Sequence, residues 1–252
     1  MEVNQFKIYS QWSLREETPA ELGERVLRNL DALAAISPLF RDWTFLDLFR
    51  NGLEMTEENI QEFLFPLDEV RSRMTQMVER GVSKDDDWQP DPDSGYSLVA
   101  YCGEDYSSQA VTLTVHGGGI YPVTDRDAIF ETSEYVATDP AIVAYPVFKA
   151  VFLSLVESWN VDWARAYSSE LRNHWKETYP QRFDLSWMTY LSAPFARRIV
   201  PPKDAIVEQT KDGGLLLIAA EETFDVSNPN HMAAAHSIAD ALEPLNKPRR
   251  RE

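Results

Sequence analysis

Three hydroxyl residues, Ser186, Thr189 and Ser192, recur every third position in FDLSWMTYLSAP, Phe183–Pro194. A serine there could act as a hydrolytic nucleophile if a base activated it and a sharp turn exposed it. Glycine usually supplies such a turn, and neither Ser186 nor Ser192 has a glycine beside it. Trp187, Tyr190 and Leu191 suit packing instead, with the hydroxyls satisfying nearby backbone groups. The stretch therefore reads as scaffold. A serine hydrolase using Ser186 or Ser192 with a distant histidine is the weaker alternative.

Other chemistry is poorly supplied. HGGGI, His116–Ile120, is a glycine cluster, but no lysine follows it as a phosphate loop requires. A dinucleotide fingerprint is missing. The HGGG run is like the oxyanion loop of some esterases, but no Gly-x-Ser-x-Gly elbow accompanies it, so the triplet reads as a turn. His231 and His236 lie five apart, about 140° around an ideal helix, whereas a helical zinc pair wants spacing four. With Cys102 as the single cysteine, neither a thiolate metal site nor an internal disulfide forms. No cofactor and no metal are expected, and the chain reads as a non-enzyme.

Charge points elsewhere. The 252-residue chain carries a net charge of −17, with a pI of 4.6. Direct nucleic-acid binding needs clustered Lys and Arg, and the basic run KPRRRE, Lys247–Glu252, reads as a frayed tail. The acidity is concentrated: residues 51–110 hold 14 Asp and Glu against 4 Lys and Arg, a balance of −10. A solvated surface explains much acidity, but this concentration suits a docking surface for a basic protein. SKDDDWQPDPDSG, Ser83–Gly95, is too rich in Asp and Pro for a buried element. It reads as an acidic lip carrying Trp88, since a charge-flanked Trp is a common interface anchor. MEVNQFKIYSQW lacks a secretory pattern. The most apolar run, Ala141–Val156, is too short to span a bilayer. A cytoplasmic location follows as the expectation.

These residues need elements to hold them. QFKIYSQW alternates with period two and predicts a first strand. Pro19 to Ala35 predicts a helix, with Thr18 as N-cap, Glu21 in a capping box, and Leu22, Val26, Leu30 and Leu33 on one face. PLFRDWTFLDLFRNG, Pro38–Gly52, reads as an aromatic-rich connector with a short strand or turn. Helical spacing runs from Ile60 to Gly81, opened by Thr56 and interrupted by Pro66. YSLVAYCG and AVTLTVHGGG predict paired strands joined by EDYSSQ, and IYPV after Gly119 a short further strand. Asp139 and Pro140 open an apolar helix ending near Trp159. Asp162 opens a fourth helix, with Trp163, Tyr167 and Leu171 on one face. DAIVEQ and GLLLIAA flank TKDGG as a hairpin. Asn228 and Pro229 open a last helix to about Leu242, with Met232, Ala235, Ile238 and Leu242 as its face.

Strand, helices, strands, helices, strands and helix in that order predict an α+β fold with a mostly antiparallel sheet. The change near Val136–Asp139 suggests two lobes, 1–136 and 137–252.

SWMTYLS resembles the W-M-T-Y-L-S hallmark of the immunity protein 52 family. YSQWSLREET (Tyr9–Thr18), FRDW (Phe40–Trp43) and EETFDVSNPNHMAAAHSIADAL (Glu221–Leu242) match the same pattern in order. The resemblance implies neutralisation of a polymorphic toxin of type VI secretion by binding, in the cytoplasm, without catalysis or cofactor. It further implies a partner toxin with a restriction-endonuclease-like nuclease domain. A DNA-binding nuclease presents a positive surface that an acidic protein can match. The candidate toxin-binding residues are Asp85, Asp86, Asp87, Trp88, Asp91 and Asp93, with Glu104, Asp105 and Tyr106 beside them. The matched residues Trp187, Tyr190, Phe224 and Asn228 are expected to maintain the fold. An acidic adaptor or chaperone that loads an effector without inhibiting it is the remaining alternative.

Overall fold

The computed structural model describes residues 3–15, 17, 19–46, 64–66, 96–102, 110–118, 126–175 and 183–246. By contact the chain divides into two compact units. One is Trp12–Val136, and the other joins Met1–Gln11 to Ala137–Glu252.

Strand β1, Phe6–Gln11, belongs to the second unit and alternates buried and half-buried residues as its period predicts. The first unit then begins. Its helix α1, Pro19–Ile36, buries Leu22, Val26, Leu30 and Leu33 at helical spacing. A short 3-10 turn, Pro38–Phe40, is capped by the Ser37 hydroxyl, which accepts from Leu39 N–H at 3.2 Å. Five strands follow: β2 Trp43–Leu46, β3 Leu64–Pro66, β4 Tyr96–Cys102, β5 Val111–Gly117 and β6 Asp127–Thr132. Their order is β3-β2-β4-β5-β6, antiparallel throughout. Phe45, Ala100, Leu113 and Phe130 are successive register partners across four of these strands. All four are fully buried, so one row of side chains forms the centre of this unit's core.

Two local outcomes differ from the periodicity. Leu64–Pro66 is a strand paired with β2, not part of a helix. Pro66 cannot continue a helix and has no N–H for a ladder, and among the described residues β3 ends the strand order, where proline is tolerated. The rest of the expected helix, EDYSSQ and IYPV lie outside the described residues. Strand β6 is an addition, because DAIFET is short and begins and ends on polar residues.

In the second unit, α2 spans Tyr145–Trp159. It starts six residues later than Asp139 suggested, because Pro146 fits only its first turn. Asp139 instead caps a turn, its carboxylate accepting from Ala141 N–H at 2.8 Å. Asn160 ends the helix in the left-handed region at φ 45°. Strand β7, Trp163–Ser168, replaces the expected fourth helix; only α3, Ser169–Arg172, is helical. All six β7 residues are buried. A strand covered on both faces loses the polar alternation that would reveal it. Strand β8, Met188–Leu191, and helix α4, Ala193–Ala196, come next. The expected hairpin is present as β9, Ile206–Gln209, and β10, Leu215–Ile218. Helix α5, Pro229–Asn246, closes the unit.

The strand order here is β1-β7-β8-β10-β9, again antiparallel. The registers separate two faces. Trp163, Leu191 and Leu217 lie on one and pack with Ile238, Leu242 and Leu245 of α5. Phe6 lies on the other, edge-on to Phe148 of α2 with ring centroids 6.0 Å apart. The fold is thus α+β, with antiparallel strands and packed helices.

The turn before β10 is closely built. Asp212 accepts from Tyr190 Oη, Thr210 Oγ1 and Gly214 N–H. Burial alone would raise the Asp212 pKa, but these donors outweigh it and hold the carboxyl below its ordinary range. Burial and then the Asp212 partner push the Tyr190 phenol well above its ordinary value. A Cβ on Gly214 would stand 2.6 Å from Leu191 O, 2.8 Å from Thr210 Oγ1 and 2.9 Å from Tyr190 Cε2. Backbone cannot yield as a side-chain tip can. Gly214→Ala is therefore expected to cost about 1–3 kcal/mol in a urea titration. Wild-type stability would contradict this close packing.

Candidate functional site

FDLSWMTYLSAP lies at the heart of the second unit. Met188–Leu191 is a central strand, flanked by β7 and β10. The Ser186 hydroxyl is fully buried and shares a 2.6 Å hydrogen bond with Thr189 Oγ1. Trp187 Nε1 donates to Ala220 O at 2.9 Å, and its ring stacks on Phe148 at 5.0 Å and 9°. Phe183 is clamped from both sides by Asn246: its N–H donates to Oδ1 at 3.0 Å and its carbonyl accepts from Nδ2 at 2.7 Å. Every one of these bonds joins parts of the scaffold. Ser192 stands at the N-cap of α4 without a side-chain capping bond.

Two of the four histidines are engaged in similar ties. His116 Nδ1 is 2.7 Å from Asp127 Oδ1, a cross-strand pair between β5 and β6. Gly118 just beyond takes φ 75°, which supports the reading of this glycine run as a turn. His231 accepts at Nδ1 from Asp225 N–H at 3.1 Å, so its proton sits on Nε2 and is donated to Glu222 Oε1 at 2.8 Å. His231 is buried and His236 exposed, as their spacing implies. Neither tie involves a serine. Among the described residues no cluster of three or more His, Cys, Asp or Glu is arranged to hold a metal ion. Among them, too, no helix is long and apolar enough to cross a membrane. Cys102 is buried, and its thiol donates to Leu39 O at 3.0 Å. Burial pushes its pKa up to about 11, so the reactive thiolate is scarce at neutral pH.

The sequence reading missed one built feature. Arg165 is only 6% exposed and lies among four aromatic rings. Its guanidinium carbon is 4.5 Å from the Trp175 ring centre, 5.2 Å from Tyr167, and 6.0 Å from both Tyr9 and Trp163. Burial lowers its pKa, while Tyr167, Tyr9 and Asp184 pull it back up. Trp163, Arg165 and Tyr167 alternate with Ala164 and Ala166, a period-two signal that could have revealed both strand and cluster. The cluster can hold a cation in place, and its burial makes it a structural pillar rather than a docking surface.

Asp85, Asp86, Asp87, Trp88, Asp91, Asp93, Glu104, Asp105 and Tyr106 all lie outside the described residues. Of the matched motif residues, Trp187, Tyr190 and Phe224 are buried within the scaffold. Asn228 accepts through Oδ1 from Asn230 N–H at 3.0 Å, at the entry to α5.

Comparison with known proteins follows the same lines. No curated protein sequence matches the chain significantly. Among solved structures it is similar to the Pseudomonas aeruginosa T6SS protein PA0821, with TM-score 0.54 and 13% identity over 95% of this chain and 73% of that one. A lombricine kinase aligns at TM-score 0.28 and 13% identity, over 96% of this chain and 64% of the kinase, too weakly to carry an argument. The first likeness, at such low identity, concerns the fold alone. The model of immunity protein 52 matches residues 5–246, nearly the whole chain. The chain belongs to the immunity protein 52 family.

Proposed function

We propose that this chain binds and neutralises a cognate bacterial toxin, a restriction-endonuclease-like DNase effector of type VI secretion, and does so without catalysis. The family match over residues 5–246 carries the reading. The net charge of −17, with a balance of −10 in residues 51–110, supports an acidic docking surface. A nuclease must hold polyanionic DNA, so its working face is basic. An acidic inhibitor gains fast, steered association with that face and competes with DNA for it. The engaged state of Ser186 and the buried Cys102 thiol favour binding over covalent chemistry.

In this reading Asp85, Asp86, Asp87, Trp88, Asp91 and Asp93 contribute to docking, with Glu104, Asp105 and Tyr106 beside them. Capture from native lysate followed by mass spectrometry is expected to recover a basic nuclease. A non-toxic partner would favour the adaptor reading. Reversing Asp85, Asp86 and Asp87 to Lys is expected to slow association with that toxin roughly tenfold or more at low ionic strength. The difference shrinks as salt is added, because exposed charges are screened within about 8–10 Å at 0.1–0.15 M. Stopped-flow kinetics reads both effects, and unchanged on-rates would remove this loop from the interface.

A further inference from the structure

We infer that the open edge of β9, Ile206–Gln209, is a second docking site, which takes up an extended, acidic-flanked segment of the cognate toxin as an added strand. The inference rests on the proposed immunity function and places part of the contact away from the acidic loop.

The hydrogen-bond register identifies the free groups. Thr210 N–H donates to Gly214 O at 3.0 Å, making that pair a hydrogen-bonded one. Bonded and non-bonded pairs alternate in an antiparallel ladder. Glu208↔Leu216 and Ile206↔Ile218 are then bonded pairs, whereas Val207↔Leu217 and Gln209↔Leu215 are not. The N–H and C=O groups of Val207 and Gln209 therefore point away from β10. Among the described residues β9 ends the strand order on that side. Ile206 and Val207 remain 36% and 38% exposed, so the edge offers apolar contact, and among the described residues no strand pairs with its outward backbone groups. Val200, which precedes β9 in the sequence, is 83% exposed. Such an edge is a template for strand addition.

Charge selects the occupant. Residues 197–212 carry four cations, Arg197, Arg198, Lys203 and Lys211, against Asp204, Glu208 and Asp212. That is +1 in a chain of −17. All four cations are exposed. Glu208 is already balanced by Lys149, 2.6 Å away. The exposed sequence flanking β9 is thus locally basic, which favours acidic residues flanking the apolar ones of a strand seated here. Another copy of this chain would bring a second basic border to the same edge and repel it.

Val207→Pro and Gln209→Pro test the idea. Each removes an outward N–H that β10 does not use, and edge strands tolerate proline at such positions. Thermal melts should stay near wild type. Affinity for the toxin that the wild-type chain captures and neutralises should fall roughly tenfold or more, the cost of a lost backbone bond plus a clashing ring. Amide exchange on the wild-type complex provides an independent reading, with new protection expected at Val207 and Gln209. Unchanged affinity and exchange would overturn the docking edge and leave the immunity reading standing. A concentration-dependent dimer abolished by either variant, with toxin binding intact, would assign the edge to a second copy and overturn the inference. If the wild-type chain neutralises no toxin, the functional reading fails and this inference falls with it.

Discussion

Trp187→Ala is expected to lower stability by about 3–5 kcal/mol, the usual cost of truncating a large buried aromatic. Trp187 is fully buried, and three other aromatic rings surround it. It stacks on Phe148 and meets Phe6 edge-on at 6.1 Å, with Tyr145 tilted against it at 6.5 Å. Alanine would open a cavity between β8 and α2 that neighbouring strands cannot collapse into. It would also leave Ala220 O without its indole donor. Trp187→Phe separates the two losses. It keeps most of the ring and loses the bond, so about 1–3 kcal/mol is expected. Equilibrium urea unfolding measures both. A marginal effect of the alanine variant would show that the W-M-T-Y-L-S segment is not the scaffold described above.

Arg165→Ala is the second large effect, at about 2–4 kcal/mol. The substitution removes the side chain that fills the space between Tyr9, Trp163, Tyr167 and Trp175. It forfeits desolvated cation–π attraction, about 2 kcal/mol when water is excluded, and the packing of the aliphatic stem. Asp184 would also lose the cation whose charge it supports. Arg165→Lys should recover only part of the loss, because an ammonium lacks the planar face that lies over a ring. Urea midpoints of the two variants decide. A lysine variant as stable as wild type would show that charge alone, not guanidinium shape, holds the cluster.

Legibility in the sequence followed burial. Where one face meets a core and the other meets water, the pattern was readable. Leu22, Val26, Leu30 and Leu33 mark α1, and alternate residues of Val111–Gly117 mark β5. Turn chemistry was equally direct: TKDGG closes the β9–β10 hairpin. The signal failed where both faces are covered. In β7, small Ala164 and Ala166 face one side and large Trp163, Arg165 and Tyr167 the other, so size alternates while burial does not. Trp163, Tyr167 and Leu171 then mimic a helical stripe. Pro146 also outweighed Asp139 in setting the start of α2, because a ring constraint overrides a weak cap.

For the functional residues the balance differs. The scaffold role of Trp187 and Tyr190 was legible, because aromatic density without a neighbouring glycine suits packing better than catalysis. The outward direction of the Val207 and Gln209 backbone groups was not. Which amides face outward depends on the pairing register, and that register is a property of the folded hairpin. The acidic candidates from Asp85 to Tyr106 rest on the local concentration of charge, and kinetics with a captured toxin is their proper test.

Neutralisation itself is the most direct test. The toxin recovered by capture is expressed from an inducible promoter, with and without this chain, and viable counts and chromosomal DNA integrity are followed. Restored survival with intact DNA, dependent on a stable complex of the two purified proteins, is the predicted result. Continued killing despite full expression of a folded chain would contradict the account.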